Sequence, residues 1–213
     1  DNPENHLKRA IKFGKQFKRD ELENKAYKKK SKIRVGYFSS DFNNHPITHL
    51  LSRVIELHDQ SKFQIYAYSL RNIKDDYTER IKQSVFCFRE VNNLSDLEIA
   101  NIARNDQLDI ALDLNGYTKH NRISIFSYRV APIQINYLGY PGTSGCKEID
   151  YIIGDKILIP DNYAKYYSEK IIHMPNSYMP FDNQTKISKK IFLKSEFKIP
   201  ENAFVLAAFH NNY

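Results

Sequence analysis

Residues 33–59 read "IRVGYFSSDFNNHPITHLLSRVIELHD". The opening "IRVGYF" (33–38) is short, mostly apolar and rich in β-branched and aromatic side chains, as a strand requires. Small and polar residues follow as far as Asn44, then His45-Pro46, then apolar residues at helical spacing. A strand that passes through a polar loop into a helix is the first half of a βαβ unit. The rest of the chain repeats the theme.

Strand-like runs recur at "FQIYAYS" (63–69), "VFCFREV" (85–91), "LDIALDL" (108–114), "IQINYLG" (133–139), "DYIIGD" (150–155) and "KIIHM" (170–174). Helical patterns lie between several of them: "PITHLLSRVIELHD", "DDYTERIKQS" and "LSDLEIANIARND". Short connections and alternating elements predict an α/β fold with a mostly parallel sheet. The strand runs are apolar on both faces, so helices are expected on both sides of that sheet.

At 213 residues the chain suffices for one large domain or one and a half ordinary ones. No apolar run approaches the roughly 20 residues of a membrane span, and the first ten residues hold no signal-like apolar stretch. Two cysteines, Cys87 and Cys146, make no disulfide framework and are expected as reduced thiols, which favours the cytoplasm. The net charge of +7 is local: residues 1–34 carry 12 Lys and Arg against 5 Asp and Glu, and the remainder carries 20 of each. With no basic stripe in the body, nucleic acid is not expected as a partner.

Residues 5–28 place Leu7, Ala10, Ile11, Gly14 and Phe17 near helical spacing, which predicts one amphipathic helix needing a partner for its apolar stripe. At the other end, "AFVLAAFHNNY" (203–213) reads as a strand entering a polar loop. The expected organisation is a helical linker over 1–30, one α/β lobe over 31–200, and the start of a truncated second lobe over 201–213.

In an open parallel sheet, ligands sit beyond the carboxyl ends of the strands. Three such segments are rich in Gly, Asn, Ser, Thr and His: "SSDFNNHP", "NGYTKHN" and "YPGTSG". Pro46 suits the first helical position, which puts His45 or Asn44 at the N-cap. There the positive end of the helix dipole disfavours a protonated ring, and a neutral imidazole in a cleft can exchange protons. The residues leave open whether His45 is such a group or merely a cap. His45 and His49 are four apart, as helical metal ligands can be, but no Glu follows His45 and no third ligand sits at a telling spacing, so no metal site is expected. The glycines of "GYPGTSG" could cradle a phosphate or simply make a tight turn. The chain has no P-loop ending, no G-x-G-x-x-G and no G-x-S-x-G elbow.

Taken together, "RVGYFSSDFNNHPITHL" (34–50), "LDLNGYTKHNR" (112–122), "APIQINYLGYPGTSG" (131–145), "DYIIGD" (150–155) and "YSEKIIHMPNSY" (167–178) resemble the successive signatures of glycosyltransferase family 41, the protein O-GlcNAc transferase family. The resemblance covers roughly residues 31–213, and the "NHP", "NGYT" and "GYPGTSG" forms are those of the O-GlcNAc transferase branch. It implies the Rossmann-like N-terminal lobe of a two-lobed GT-B enzyme, inverting and metal-independent, with TPR-like helical repeats upstream. It implies His45 as the catalytic residue. Asn44, Pro46, His49, Asn115, Gly116, Tyr117, Thr118, Gly139, Tyr140, Pro141, Gly142 and Thr143 are implied to line the substrate cleft.

No cofactor is implied; the co-substrate would be a nucleotide sugar, UDP-GlcNAc, and the partner a protein or peptide acceptor. The family's principal contacts to uridine and diphosphate come from a second lobe, whose opening "FHNNY" (209–213) resembles, so the fragment alone is expected to be inactive. Two alternatives are a non-catalytic sugar- or peptide-binding scaffold lobe, and another GT-B nucleotide-sugar enzyme such as an epimerase.

Overall fold

A computed structural model describes residues 2–17 and 30–207. The chain divides into two compact units, Asp1–Asn183 and Gln184–Tyr213. The first contains seven strands: β1 (Ile33–Ser39), β2 (Phe63–Ser69), β3 (Cys87–Glu90), β4 (Ile110–Asp113), β5 (Ile133–Asn136), β6 (Tyr151–Gly154) and β7 (Lys170–His173). All are parallel, in the order β3-β2-β1-β4-β5-β6-β7. Each lies inside a run that the sequence singles out, except that β1 continues one residue past "IRVGYF" to Ser39.

Four helices accompany them: α1 (Pro3–Gly14), α2 (Pro46–Glu56), α3 (Asp76–Ser84) and α4 (Asp96–Asn105). Their starts are chemically marked. His45 caps α2 ahead of Pro46, while Asp75 with Thr78 and Ser95 with Glu98 form reciprocal capping boxes on α3 and α4. Only 3₁₀ turns, at Ile123–Tyr128 and Asp161–Tyr166, stand between the later strands.

Alternate residues of the central strands feed two cores, as the pleat demands. Val35, Tyr37, Ile65, Ala67 and Leu112 meet Leu51, Ile55 and Ile81 of α2 and α3. Phe38, Tyr66, Tyr68 and Ala111 meet Ile99, Ala100 and Ala103 of α4. Phe38 and Tyr68 stack with ring centroids 4.2 Å apart, and both are fully buried. The sheet is thus covered on both faces, which explains why its strands read as continuous apolar runs.

The N-terminal helix begins at Pro3 rather than at residue 5, because the Asn2 side chain accepts from the Glu4 and Asn5 N–H groups. It ends at Gly14, and a 3₁₀ turn covers Lys15–Phe17; the rest of the expected helix, 18–29, lies outside the described residues. Its buried positions, Ala10 and Gly14, lie against Gly145 and Cys146, so the body supplies a partner for the apolar stripe.

In the second unit, Lys194–Phe197 forms a 3₁₀ turn, and the Lys194 ammonium donates to the carbonyls of Glu201 (2.6 Å) and Ala203 (2.9 Å). Residues 203–207 form no strand, contrary to the expectation; no described strand in this unit offers them a hydrogen-bonding edge. Residues 208–213 lie outside the described residues.

Candidate active site

The strand order reverses direction between β1 and β4, whose carboxyl ends lie side by side: Phe38 is the register partner of Asp113. A crevice opens at such a switch point. Asn115, fully buried just beyond β4, closes its floor. Its Oδ1 accepts from the Ser40 N–H at 2.8 Å. Its Nδ2 donates to Ser40 Oγ (2.9 Å), Asp41 Oδ2 (2.7 Å) and Thr118 Oγ1 (3.2 Å). One amide thereby ties the loop after β1 to the loop after β4. The bonds to Ser40 and Asp41 are made in a buried setting, where an unmatched polar atom would cost on the order of 1–3 kcal/mol.

Asp41 is the hub of the first loop. Its Oδ1 accepts from Ser40 Oγ at 2.9 Å, and its backbone carbonyl accepts from Thr48 Oγ1 on α2. Oδ2 stands 3.9 Å from Nδ1 of His45, an ion-pair distance if the ring is protonated but too long for a hydrogen bond. The His45 Nδ1 instead accepts from the Ile47 N–H at 3.2 Å. That bond assigns the proton of a neutral ring to Nε2. The imidazole, whose side chain is 41% exposed, therefore offers an N–H donor to the crevice in this geometry. It becomes a base at Nε2 only if Nδ1 takes the proton and turns to Asp41.

His45, Pro46, Asp41, Thr118 and Gly139 line a cavity of about 530 Å³. Gly139 brings the third loop against the second: a Cβ there would collide with the Leu114 carbonyl oxygen. Gly116 adopts φ +55, a left-handed conformation that lets the second loop turn back over Asn115. Asn115 and Gly116 are buried beneath the cavity rather than in its wall.

The remaining residues implied by the resemblance sit elsewhere. Asn44 donates its N–H to Asp75 Oδ2 at 2.6 Å and bonds the His49 ring at 2.8 Å, and that ring also lies 4.6 Å from Tyr77. Tyr117 and Tyr140 line a second cavity of about 590 Å³ together with His6 and Phe13 of α1. Tyr140 Oη and His6 Nε2 are 2.9 Å apart, and a Cβ on Gly142 would meet the same two side chains. Pro141 is exposed, its carbonyl accepting from Tyr167 Oη at 3.1 Å.

Thr143 is buried on the Glu169 carboxylate, which accepts from Thr143 Oγ1 (2.7 Å), the Ser144 N–H (2.7 Å), Ser168 Oγ (3.1 Å) and Ser144 Oγ. Tyr117 donates to the Ser144 carbonyl, and burial raises its phenol above the usual range. Burial also pushes the Cys146 thiol up to about 11, so it is protonated at neutral pH and no nucleophile. Among the described residues no group of three His, Cys, Asp or Glu is placed to hold a metal ion.

Comparison with known proteins decides the lineage. The family model for glycosyl transferase family 41 matches residues 11–211. This chain belongs to glycosyl transferase family 41.

Among its family 41 relatives is the probable UDP-N-acetylglucosamine–peptide N-acetylglucosaminyltransferase SEC of Arabidopsis thaliana, 37% identical over 190 residues, 85% of this chain and 19% of that one. The UDP-N-acetylglucosamine–peptide N-acetylglucosaminyltransferase of Caenorhabditis elegans is 36% identical over 159 residues, 71% of this chain and 13% of the relative. A solved structure of a mutant O-GlcNAc transferase from Thermobaculum terrenum superposes with a TM-score of 0.78 at 28% identity, covering 84% of this chain and 35% of that one. The chain thus spans less than a fifth of the length of these two curated relatives. The sheet with its N-terminal helix matches the GT-B fold of that neighbour. Among the described residues no helix is long and apolar enough to cross a membrane.

Two residues that organise these loops escape a reading of the sequence. Asp41 lies in the quoted first loop, four residues before His45, a spacing that could have flagged it. Glu169 sits at the edge of a strand run, where a charge usually means solvent, and nothing local announces its burial.

Proposed function

We propose that the protein carrying this lobe transfers N-acetylglucosamine from UDP-GlcNAc to Ser or Thr hydroxyls of protein acceptors, with inversion and without a metal. The observation that carries the reading is the Asn115 lock, which fixes Ser40, Asp41 and Thr118 around one crevice with His45 at its edge. Membership of family 41 and the printed activities of the two curated relatives support it.

In this reaction the acceptor oxygen attacks the anomeric carbon from the face opposite the diphosphate. The bond from that carbon to the diphosphate oxygen breaks, and the hydroxyl proton passes to the departing diphosphate or to water. His45 would contact the reacting oxygens through Nε2, as a donor in the tautomer assigned above. Orienting an oxygen in this way lowers the barrier by fixing the attack geometry. Charge developing on the departing diphosphate needs preorganised donors, which a second lobe would supply. The lobe alone would therefore be inactive, and the whole protein would combine TPR-like repeats, this lobe and a second lobe, in the cytoplasm.

The test incubates the complete protein with labelled UDP-GlcNAc and a broad set of protein acceptors. Label on Ser or Thr, absent in a His45→Ala variant, is the expected result. No transfer to any acceptor would overturn the reading in favour of a binding lobe, and turnover by residues 1–213 alone would overturn the need for a second lobe.

A further inference from the structure

The cavity beside His45 has a cationic rim that the reaction as described does not use. Arg71, two residues past β2, and Lys119 and His120, in the loop past β4, line the same cavity as Asp41 and His45. We propose that these three side chains form an anion subsite that receives a carboxylate or phosphate of the acceptor segment, next to the hydroxyl to be glycosylated. The proposal rests on the glycosyl-transfer reading of the cleft.

The other arginines of this unit are committed. Arg34, Arg80, Arg89, Arg122 and Arg129 each hold a backbone carbonyl, a carboxylate or both. Among the described arginines, Arg71 alone has a side chain without a hydrogen bond or ion pair, and the Lys119 ammonium is likewise unpaired. Outside residues 1–34 the sequence is balanced at 20 cationic and 20 acidic residues, so an uncommitted guanidinium at this cavity is a local departure. A guanidinium and an ammonium lining one cavity suit an oxyanion: the first bonds it in bidentate fashion and the second adds a point charge.

The occupant is argued from depth and sign. The floor already holds Asp41, bonded to Asn115 and Ser40, and its carboxylate repels a diphosphate placed there. Asp75, the cap of α3, is occupied by the Asn44 and Thr78 N–H groups. Lys119 and His120 are exposed, so they reach a chain lying across the mouth.

The experiment uses the complete protein and two fluorescent Thr peptides that differ only in Glu or Gln on either side of the Thr. Binding is read by anisotropy at low salt. The Glu peptide should bind roughly fivefold more tightly, the upper range for partly exposed ion pairs. The preference should shrink to within about twofold in an Arg71→Gln/Lys119→Gln variant, and in the parent protein at about 0.5 M salt, where screening is strong.

Equal binding of the two peptides by the parent protein overturns the proposal, and that comparison needs no variant to fold. So does a preference that survives the double substitution. A variant that loses UDP affinity but keeps the peptide preference would assign the rim to the donor instead, again against the proposal. Because anisotropy requires no turnover, the two readings fail separately. Preference without transfer retains the subsite and removes the transferase reading; transfer without preference does the reverse.

Discussion

Asp113 and Asn136 are register partners on β4 and β5, and each buries a side-chain oxygen that has no hydrogen-bond partner. Equal register in parallel strands sends both side chains to the same face of the sheet. Asp113 Oδ1 is occupied by the Asn115 N–H at 3.0 Å, and Asn136 Nδ2 donates to the carbonyls of Tyr140 (3.1 Å) and Gly142 (3.4 Å). The second and third loops therefore hang from two adjacent side chains whose remaining oxygens both want a donor. A proton on Asp113 supplies one. Burial raises its carboxyl from 3.8 to about 6, against the bonds from Asn115 and Gly116 that lower it.

A raised carboxylate pKa means that the folded state binds the extra proton. The stability it lends is complete below the unfolded value near 3.8 and is lost as pH rises through about 6. Above that, the buried charge costs about 3 kcal/mol, from the shift at 1.36 kcal/mol per unit. An Asp113→Asn variant keeps the bond to Asn115, adds an N–H for Asn136 and carries no charge. Its Tm should exceed that of the parent at pH 7.5 by several degrees and match it near pH 4. Thermal melts from pH 4 to 8 check this; a difference independent of pH would remove Asp113 as the titrating group.

Glu169 holds the "GTSG" turn from below with four donors on one carboxylate. In Glu169→Gln the amide nitrogen faces donors rather than accepting from them. The loss should be about 2 kcal/mol, the scale of a buried group left unmatched. Cys146, whose N–H donates to Ser144 Oγ at 3.2 Å, depends on the same turn. Its thiol, buried and raised to about 11, should resist alkylation at pH 8 in the parent and react several-fold faster in the variant. Unchanged melting together with an unchanged alkylation rate would show that the turn stands without the carboxylate.

The strands were legible because both faces of the sheet are covered, which turns each into an apolar run that composition alone reveals. Their ends were less so: of "VFCFREV" (85–91) only Cys87–Glu90 is strand, since β3 is an edge with a single neighbour. The three loops announced themselves through Gly, Asn and His. What those loops do depends on which strands adjoin, and local periodicity says nothing of that. Asn115 matters because β4 lies beside β1, and Asn136 because β5 lies beside β4. The same limit hid Asp41 and Glu169, whose partners come from 74 and 26 residues away.

Gly139 tests how closely the third loop must approach. Alanine there drives a methyl group into the Leu114 carbonyl, a backbone atom that cannot swing aside. Gly139→Ala should cost about 1–3 kcal/mol, as overpacking does. It should also widen the cavity wall that Gly139 shares with Thr118. Denaturant melts give the first quantity. The apparent KM for acceptor in the complete protein gives the second and should rise. A variant as stable as the parent would mean that the loop shifts freely, contradicting its tether to Asn136.

In the proposed reaction His45 carries two roles that a pair of measurements separates. As the cap of α2 it accepts from the Ile47 N–H, and losing that bond in His45→Ala should cost about 1 kcal/mol. His45→Asn restores a capping acceptor, so its stability should return close to the parent's. Neither substitute presents an imidazole Nε2 to the crevice. Both should therefore lose turnover alike, by roughly 10² or more if the ring bonds the reacting oxygen. Melting curves and initial rates on the complete protein give the split. Rates that recover in His45→Asn along with stability would make the ring a cap and nothing else, and would move the chemistry to another side of the cleft.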